Sequence, residues 1–424
     1  MSTVLPSSAT FLDELSWRGL LFQCSDREGL AAHLAEGPRR AYVGLDPTAD
    51  SLTIGNLVTL GLLGHFQRAG HQPVVLAGGG TGLIGDPGGK ESERPLLPMA
   101  TIRANVEGQL RIYERLLPGA TVLNNADWLV DLSYVGVLRD VGKYFSVNEM
   151  IKRDSVRSRL ESDGISYTEF SYMLLQAYDF AHLHREHGVT LQMGGSDQWG
   201  NIVSGVDLIR RTQATQAFAL TCPLLTKSDG SKFGKSESGA IWLTADRTSP
   251  YAFHQFWLNT DDGDLDRYLK TFSFLAEGEI AELLSDARQN PGARVAQRVL
   301  ADEMTTRLHG QGGTDRSNAA AAALFTGDIR QLDEATLREV FREVPSADLP
   351  RISLVDGLDV VEALVQSGVA KSNREARELL STGALSLNGA KVATDYQISS
   401  HDVLAGDLTL VRRGKKNWTV IRWS

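Results

Sequence analysis

The alternation of short apolar runs with longer amphipathic segments, from about Arg40 to Leu243, constrains the fold more than any other feature. Strands of a parallel sheet are buried on both faces and appear as continuous apolar runs, while longer segments between them cross over as helices. The sequence therefore predicts an α/β fold with a Rossmann-like, doubly wound parallel sheet and ligands at the strand carboxyl ends. The predicted strands are Ala41 to Leu45, Pro73 to Ala77, Thr121 to Leu123, Val189 to Met193 and Ala217 to Thr221.

The remainder of the chain predicts different architecture. Helical periodicity dominates from Thr244 to Ala322, with one break at Gly310 to Thr314. Residues from Gly327 to Leu349, which contain acids and prolines, are typical of a loosely packed connector. The predicted packing residues of the helical part are Tyr251, Phe253, Phe256, Trp257 and Leu258.

A last compact α+β unit is predicted near the carboxyl terminus. Two short helices, Val360 to Gly368 and Ser372 to Ser381, precede a hairpin with an Asn-Gly turn, and Ser372 is the expected helix cap. Further strands are predicted at Asp407 to Val411 and Thr419 to Trp423. The predicted domains are residues 1–245, a helical domain at 246–326, a linker at 327–352 and the last unit at 353–424.

Composition excludes several classes of protein. Hydrophobic content of 42% with 22% charged residues is ordinary for a soluble globular chain. Cys24 and Cys222 alone cannot form a disulfide framework or a structural zinc site. Without an export signal or a membrane-length apolar run, we expect a cytoplasmic location and no membrane partner.

Charge is distributed unevenly along the chain. The net charge of −9 argues against indiscriminate nucleic-acid binding, and no DNA partner is expected. From Arg351 to Ser424, ten Lys plus Arg stand against eight Asp plus Glu, a net of +2, so the remainder carries −11. The sequence thus predicts that the carboxy-terminal unit could face RNA.

Two segments more than 170 residues apart together predict an ATP site: Pro47-Thr-Ala-Asp-Ser-Leu-Thr-Ile-Gly-Asn56 and Lys232-Phe-Gly-Lys-Ser236. The first follows a strand and opens a helix, so its hydroxyls and N–H groups would lie at a helix N-terminus, where phosphate binds well. The second supplies two lysines that can close over a triphosphate and follow its charge as pyrophosphate leaves.

These segments, in place and order, resemble the class I signatures of the bacterial tyrosyl-tRNA synthetases, and the resemblance covers nearly the whole chain. Five blocks carry it: Tyr42 to Ser51, Gly82 to Arg94, Phe170 to Asp179, Gln192 to Asn201 and the lysine segment Lys232 to Ser236. The segment Ser372-Asn-Arg-Glu-Ala-Arg377 similarly resembles the RNA-binding module called the S-four domain. The resemblance implies a tyrosine–tRNA ligase that uses Mg–ATP as a substrate, has no tightly bound cofactor, and forms a homodimer that binds tRNA(Tyr).

Family residues for tyrosine match six positions. Tyr42 and Asp179 resemble the pair that hydrogen-bonds the phenolic hydroxyl, and such a pair can reject phenylalanine by about 10⁴ to 10⁵. The spacing of Tyr172, Gln176 and Asp179 at i, i+4 and i+7 places all three on one helix face. A simpler alternative is that Tyr172 and Tyr178 merely pack a core. The full set is Tyr42, Asp86, Tyr172, Gln176, Asp179 and Gln198.

Family residues for ATP and catalysis match a second group. Asp197 resembles a ribose-binding acid, although Asp is also an excellent helix N-cap, and Ser196 could take the cap. Lys90 and Arg94 resemble mobile cations for pyrophosphate. The catalytic candidates are Thr48, Thr53, Asn56, Lys90, Arg94, Lys232, Lys235 and Ser236, and the further ATP-binding candidates are Gly44, Asp46, Gly55, Gly195 and Asp197, together with Lys235.

The first signature departs from the family pattern, which usually has histidine at both ends where this chain has Thr53 and Asn56. Asn56 can still donate a hydrogen bond, but Thr53 is shorter and carries no charge. Losing one hydrogen bond to a charged group costs about 1.5–3 kcal/mol, or roughly 10- to 150-fold in rate. The departure predicts a slower enzyme or a specialised, inhibitor-tolerant second copy.

Other interpretations of the sequence compete with this one. Gly80 to Gly85 matches a dinucleotide fingerprint, but helical periodicity returns only near Met99, so a dehydrogenase is disfavoured. His182, His184 and His187 lie near a helix end without a completing carboxylate or thiol, so no metal site is predicted. A non-catalytic RNA-binding paralogue and a tryptophan-specific enzyme remain as alternatives.

The basic residues predicted to contact RNA lie in the last unit. They are Lys371, Arg374, Arg377, Arg412 and Arg413. Arginine and lysine suit this role because they neutralise backbone phosphates.

Overall fold

The structure is a computed structural model that describes residues 10–87, 96–161, 164–230, 233–236, 239–342, 344–414 and 417–424. The side chains at positions 154, 155, 158, 235 and 236 lie outside that description. The chain divides into two compact units, one formed by residues 1–248 with 256–308 and the other by 249–255 with 309–424. Among the helices described, none is long and apolar enough to cross a membrane.

The strands of the described residues fall into four sheets. They are β1 (Gln23–Cys24), β2 (Arg40–Leu45), β3 (Gln72–Ala77), β4 (Thr121–Asn124), β5 (Val189–Gly195), β6 (Phe218–Cys222), β7 (Lys235–Ser236), β8 (Gly239–Ala240), β9 (Ser346–Leu349), β10 (Leu358–Asp359), β11 (Leu385–Leu387), β12 (Gln397–Ile398), β13 (Leu408–Arg413) and β14 (Asn417–Trp423).

The helices of the described residues cover much of the remaining chain. They are α1 (Phe11–Trp17), α2 (Arg27–Ala35), α3 (Asn56–Arg68), α4 (Met99–Leu116), α5 (Ala126–Leu129), α6 (Tyr134–Asp140), α7 (Val147–Ile151), α8 (Asp154–Leu160), α9 (Tyr167–His187), α10 (Trp199–Gln213), α11 (Pro250–Leu258), α12 (Asp262–Phe272), α13 (Glu277–Gln289), α14 (Val295–Thr326), α15 (Glu334–Val340), α16 (Val360–Gln366) and α17 (Asn373–Ser381).

The main sheet of the first unit has the strand order β1-β6-β5-β2-β3-β4. Strands β2 to β6 pair in parallel, and β1 joins β6 at the edge in antiparallel register. The five predicted parallel strands are confirmed to within two residues at each end. Strand β3 lies on one side of β2 and β5 lies on the other, so the direction in which successive strands are added to the sheet reverses at β2. Ligands are therefore expected at the carboxyl end of β2.

Helices α9 and α10 cover one face of this sheet. The core cluster there includes Val74 and Leu76 of β3 and Ala177, Phe180 and Leu183 of α9, all less than 4% exposed. Helix α9 ends at Gly188, whose φ of +63° is the left-handed conformation that glycine adopts without strain. This packing fixes the rotation of α9, and with it the direction of the side chains that it presents to the strand ends.

The helical periodicity predicted beyond Thr244 is confirmed. Helical hydrogen bonding continues along α14, but Gly310 has φ 78° and ψ 170°, so the helix is broken where the sequence predicts a break. Phe253 and Trp257 are fully buried, as predicted.

The second unit contains a four-stranded sheet with the order β11-β13-β14-β9. The Asn-Gly turn is confirmed, since Asn388 and Gly389 have φ of 45° and 87°, and Ser372 caps α17 by accepting from Glu375 N. The predicted connector is more structured than expected, because β9 pairs with β14 and Ile329, Leu337 and Phe341 are buried. These apolar side chains, scattered among acids, find their partners only in tertiary packing.

Candidate active site

Tyr42 lies on the central strand β2 and is the first of the polar residues that form the candidate pocket. Its side chain is 1% exposed, and within the described part of the chain its hydroxyl has no hydrogen-bond partner. Burial raises the pKa of Tyr42 well above its usual value, and the nearby Asp179 carboxylate raises it further. A buried hydroxyl without a partner is costly in an isolated protein, so it is well suited to meet a polar group of a ligand.

Asp179 of α9 is the second polar group of this pocket. Its carboxylate accepts hydrogen bonds from Asn125 Nδ2 at 2.8 Å and from Trp128 Nε1 at 2.7 Å. Burial raises the pKa of Asp179 to about 7, although these two hydrogen bonds oppose the rise. The carboxyl group is therefore held in one orientation and poised between its two protonation states near neutral pH.

Asn125 and Trp128 are site residues that the sequence did not reveal. Both follow β4, and polar residues at the carboxyl end of a parallel strand are the signal that could have identified them. Asn125 also ties together the loop after β3, since its Oδ1 accepts from Gly80 N and its Nδ2 donates to Thr81 Oγ1.

A second set of carboxylates lies around the rest of the pocket. Tyr172 donates to Asp46 Oδ2 at 3.0 Å, and Gln198 donates to Asp86 Oδ2 at 2.6 Å. Burial, followed by the charge of Asp46, raises the pKa of Tyr172 well above its usual value. Carboxylates grouped in this way favour a cationic ligand such as an ammonium group.

The predicted helix face is present in the structure. Tyr172, Gln176 and Asp179 all lie on α9, and Gln176 accepts from Asn201 Nδ2 of α10 at 3.0 Å. Asn201 ends one of the five sequence blocks, but its residue type alone did not mark it as a site residue. The structure thus brings Tyr42, Asp86, Tyr172, Gln176, Asp179 and Gln198 to one edge of the sheet through the contacts given above.

The loop after β3 contains glycines because other side chains occupy the space. A Cβ on Gly78 would lie 2.2 Å from Asp46 Oδ1, and one on Gly79 would lie 2.2 Å from Asn124 Oδ1. This loop continues as a short 3₁₀ turn at Thr81–Leu83, and the next helix of the described residues begins at Met99. The expectation that no helix starts on these glycines is confirmed, which removes the dinucleotide interpretation.

The first predicted ATP segment follows β2 and is held by helix α4. Asn105 Nδ2 donates to the Pro47 carbonyl at 2.8 Å, and Gln109 Nε2 donates to the Ala49 carbonyl at 2.7 Å. Tyr113 in turn donates to Gln109 Oε1 at 2.7 Å. These contacts, which the sequence did not predict, leave the intervening Thr48 exposed.

The two predicted ATP segments meet in the structure. Ile54 N donates to the Ile241 carbonyl at 2.9 Å, and Ile241 N donates to the Gly234 carbonyl at 3.2 Å. Gly234 has φ +85°, and a Cβ there would lie 2.8 Å from Ile54 Cγ2. The segment that ends at Asn56 and the hairpin that contains β7 and β8 are therefore in direct contact.

Phe233 anchors this hairpin. It is 7% exposed, stacks on Phe272 at 5.2 Å between ring centroids, and also contacts Phe256, Trp257 and Tyr268. Aromatic clusters of this kind bury a large area with defined geometry. The backbone at Lys235 and Ser236 is described as β7, whereas Lys90, Arg94 and Lys232 lie outside the described residues.

The remaining predicted ATP residues lie around these segments. Gly44 and Gly55 are exposed, and Gly44 is so despite its position on the central strand. A Cβ on Gly195 would lie 2.5 Å from Asp197 Oδ1. Helix α10 has no side-chain cap, nor does the 3₁₀ turn before it, so the structure does not favour the N-cap interpretation of Asp197 or Ser196.

The basic residues of the second unit differ in their surroundings. Lys371, Arg374 and Arg377 are exposed at or beside α17. Arg412 donates to the Leu324 carbonyl at 3.1 Å, and Arg413 pairs with Glu375 at 3.3 Å. The last two thus have intramolecular partners as well as their predicted role toward RNA.

The parallel sheet, its two converging candidate nucleotide segments and its acidic pocket together define an α/β protein suited to bind a nucleotide beside an amino-bearing ligand. Residues 34–326 match the family described as "tRNA synthetases class I (W and Y)", and the chain belongs to that family. Residues 336–421 match the "Tyrosine--tRNA ligase SYY-like C-terminal domain".

Individual relatives agree with this assignment. The chain is 48% identical to "Tyrosine--tRNA ligase" of Roseiflexus castenholzii, with 97% of this chain and 99% of the relative covered. It is 46% identical to "Tyrosine--tRNA ligase" of Staphylococcus haemolyticus, with 98% and 100% covered. A solved structure of a C-terminally truncated Aspergillus nidulans mitochondrial tyrosyl-tRNA synthetase matches at a TM-score of 0.67 and 32% identity, covering 74% of this chain and 94% of that one.

Proposed function

We propose that this chain is a tyrosine–tRNA ligase, which activates L-tyrosine with ATP and transfers it to tRNA(Tyr). The observation that carries the proposal is the buried Tyr42 hydroxyl beside Asp179, because a phenol can accept from Tyr42 and donate to Asp179, whereas phenylalanine can do neither and indole can only donate. It disfavours the tryptophan-specific alternative. The Tyr42 hydroxyl also disfavours the non-catalytic paralogue, because a buried hydroxyl without a partner in the described structure is costly to keep unless a ligand satisfies it.

In the proposed reaction, the tyrosine carboxylate attacks the α-phosphorus of Mg–ATP, a P–O bond forms, and pyrophosphate leaves. The ammonium group of tyrosine lies against Asp86 and Gln176, while the phenol reaches Tyr42 and Asp179. The mixed anhydride then transfers its tyrosyl group to the terminal adenosine of tRNA with release of AMP. Catalysis comes from positioning and from donors that meet charge as it develops.

On the nucleotide side, we assign Thr48, Asn56, Lys90, Arg94, Lys232, Lys235 and Ser236 to the phosphates. Gly44, Asp46, Gly55, Gly195 and Asp197 line the rest of the ATP site in this proposal. Mg²⁺ enters with ATP, because Mg²⁺ at such sites is held largely by phosphates and water.

We further propose a homodimer. Apolar side chains between residues 130 and 167 are unusually exposed, including Tyr134 at 64%, Val135 at 71% and Tyr167 at 60%. Exposed apolar patches of this kind mark association surfaces. Sedimentation should give a dimer mass, and Val135→Asp should shift it toward the monomer.

For tRNA, we propose that residues 246–326 face the anticodon stem and that the 353–424 domain contacts RNA through Lys371, Arg374, Arg377, Arg412 and Arg413. The enzyme is proposed to act in the cytoplasm.

The test is exchange of labelled pyrophosphate into ATP, with tyrosine, tryptophan, phenylalanine or no amino acid. Exchange with tyrosine alone is expected. Exchange with tryptophan instead, or no exchange although tyrosine binds, would overturn the proposal.

A further inference from the structure

Thr53 and Asn56, the two residues that depart from the family signature, are bonded to each other. Asn56 N donates to the Thr53 carbonyl at 3.0 Å. In the opposite direction, Asn56 Oδ1 accepts from Thr53 N at 3.0 Å and from Thr53 Oγ1 at 3.1 Å. The two residues therefore form a closed, reciprocal pair at the start of α3.

This pairing settles which way the Asn56 amide points. The oxygen and nitrogen of an Asn amide look alike, and their placement normally has to be inferred from neighbours. A backbone N–H can only donate, so the Asn56 atom that faces Thr53 N has to be the carbonyl oxygen. The NH₂ group of Asn56 is consequently turned away from Thr53 and keeps its two donors for another partner.

Thr53 is itself held in place by the hairpin that contains β7 and β8. It forms an antiparallel bridge with Trp242, and the neighbouring Ile54 N donates to the Ile241 carbonyl. On the other side, Leu243 N donates to the Leu52 carbonyl at 2.9 Å. Thr53 thus transmits the position of the lysine-bearing hairpin to the side chain of Asn56.

We propose that Thr53 is a positioning residue that orients the Asn56 amide, so that the Asn56 NH₂ donates to ATP while Thr53 does not contact the nucleotide. This rests on the proposed function, since ATP is the ligand that the NH₂ meets. In this proposal, the residue at position 53 has an indirect role, through Asn56, in place of a direct contact to ATP. The hydroxyl of Thr53 donates to Asn56, and a histidine there would remove that bond, so Thr53→His is expected to give no gain.

The test is a double-mutant cycle measured first on equilibrium binding of ATP and then on pyrophosphate exchange. Thr53→Val removes only the hydroxyl and should weaken ATP binding about 3- to 10-fold, the value of one hydrogen bond. Thr53→Ser keeps the hydroxyl and should bind ATP with wild-type affinity. The affinity for tyrosine should stay within about 2-fold in both variants, because the Thr53 hydroxyl bonds Asn56 and not the residues around Tyr42 and Asp179.

The decisive arm repeats Thr53→Val in an Asn56→Ala background. If Thr53 acts only through Asn56, the second substitution has no further effect; equal losses in both backgrounds would mean that Thr53 touches ATP and would overturn the proposal. Asn56→Asp keeps the acceptor for Thr53 but lacks the NH₂, so it should bind ATP no better than Asn56→Ala. Retained wild-type affinity in Asn56→Asp would also overturn it.

Thr212→Val is the control, because Thr212 is a threonine of α10 whose hydroxyl donates to the Leu208 carbonyl of its own helix. It should leave ATP binding unchanged. The binding arm separates the two proposals: ATP binding with the expected cycle but no tyrosine-dependent exchange would refute the proposed function alone. A wild-type protein that fails to bind ATP would refute both.

Discussion

The tyrosine side and the nucleotide side of the candidate site lie at the same sheet edge but are built differently. On the tyrosine side, Tyr42 and Asp179 are 1% and 2% exposed, and the Asp179 carboxylate is held by hydrogen bonds from the side chains of Asn125 and Trp128. On the nucleotide side, Thr48 and Gly55 are exposed, and side chains of α4 hold backbone carbonyls instead. The tyrosine side thus consists of buried polar groups, and the nucleotide side is an exposed turn whose backbone is held by side chains.

This difference matches what each ligand demands. Distinguishing a phenol from a phenyl ring requires desolvated groups that are left unpaired by the wrong substrate. Binding a triphosphate requires accessible N–H groups and cations, and there precision comes from fixing the backbone. Burial of polar groups therefore gives selectivity between amino acids, and hydrogen bonds that fix an exposed turn give affinity for the charged phosphates.

The strongest test of the comparison is Asp179→Ala. The ratio of kcat/KM for tyrosine over phenylalanine should fall about 10³-fold or more, because the substrate hydroxyl loses its buried acceptor. Pyrophosphate exchange with each amino acid measures the ratio, which is independent of the fraction of protein that is folded. Asp179→Asn is the volume-matched control, and unchanged selectivity in Asp179→Ala would remove the pocket assignment.

A second test uses pH, because Asp179 titrates whereas Thr48 and Asn56 do not. The pKa of Asp179 is raised to about 7 in the folded protein from 3.8. The folded state then binds more protons than the unfolded state between about pH 4 and 7, so stability is lost as pH rises through that window. Between about pH 5 and 7.5, the free energy of unfolding of the wild type should fall by about 2 kcal/mol relative to Asp179→Asn.

Urea unfolding of the wild type and of Asp179→Asn at the two pH values supplies the measurement. All other titrating groups are common to both proteins and cancel in the difference. Parallel pH profiles for the two proteins would mean that Asp179 is ionised throughout and that its burial does not set its protonation.

Tyr42→Phe should separate function from stability. Loss of one hydrogen bond to the substrate is expected to lower kcat/KM for tyrosine by about 10- to 100-fold. Stability should be unchanged or higher, because the Tyr42 hydroxyl lacks a partner in the described structure. Thermal unfolding and pyrophosphate exchange together check this.

The matched control is Tyr113→Phe, since the Tyr113 hydroxyl does have a partner in Gln109. This variant should lose stability while keeping its selectivity for tyrosine. A fall in stability for Tyr42→Phe comparable with that of Tyr113→Phe would show that Tyr42 is a structural residue.

The smallest effect is expected on the nucleotide side. Gln109→Leu leaves the Ala49 carbonyl without its donor and should raise KM for ATP about 10-fold while KM for tyrosine stays within about 2-fold. Arg111→Ala, an exposed change on the same helix, is the control. Equal rises in both KM values would show that α4 supports the whole site and that the two sides are not separable.

Much of the architecture could be predicted from the sequence. The apolar runs located β2 to β6, and the spacing of Tyr172, Gln176 and Asp179 placed all three on α9. Turn and cap chemistry located the Asn388-Gly389 turn and the cap of α17. These features depend on residues within about one or two turns of each other, so local periodicity and backbone preference encode them.

Other features depend on contacts between distant residues. Asn125 lies 54 residues from Asp179, and Gln109 lies 60 residues from Ala49, yet each pair is joined by one hydrogen bond. No sequence pattern in or beside β4 or α4 predicts which residues Asn125 and Gln109 will bond. The buried apolar residues of the predicted connector at 327–352 are a similar case, because their burial depends on strands at the end of the chain.

The sequence by itself determined where the main strands and helices lie along the chain and which two segments are candidates for the nucleotide, and its resemblance to a known family supplied the candidate pocket residues. Only the tertiary structure decided that Asp179 is held by Asn125 and Trp128, that α4 braces the turn around Thr48, and that Thr53 is bonded to Asn56. The physical reason is that the chemistry of a side chain fixes which hydrogen bonds it can donate or accept. Its partner and its degree of burial are set by how the crossover helices pack on the sheet.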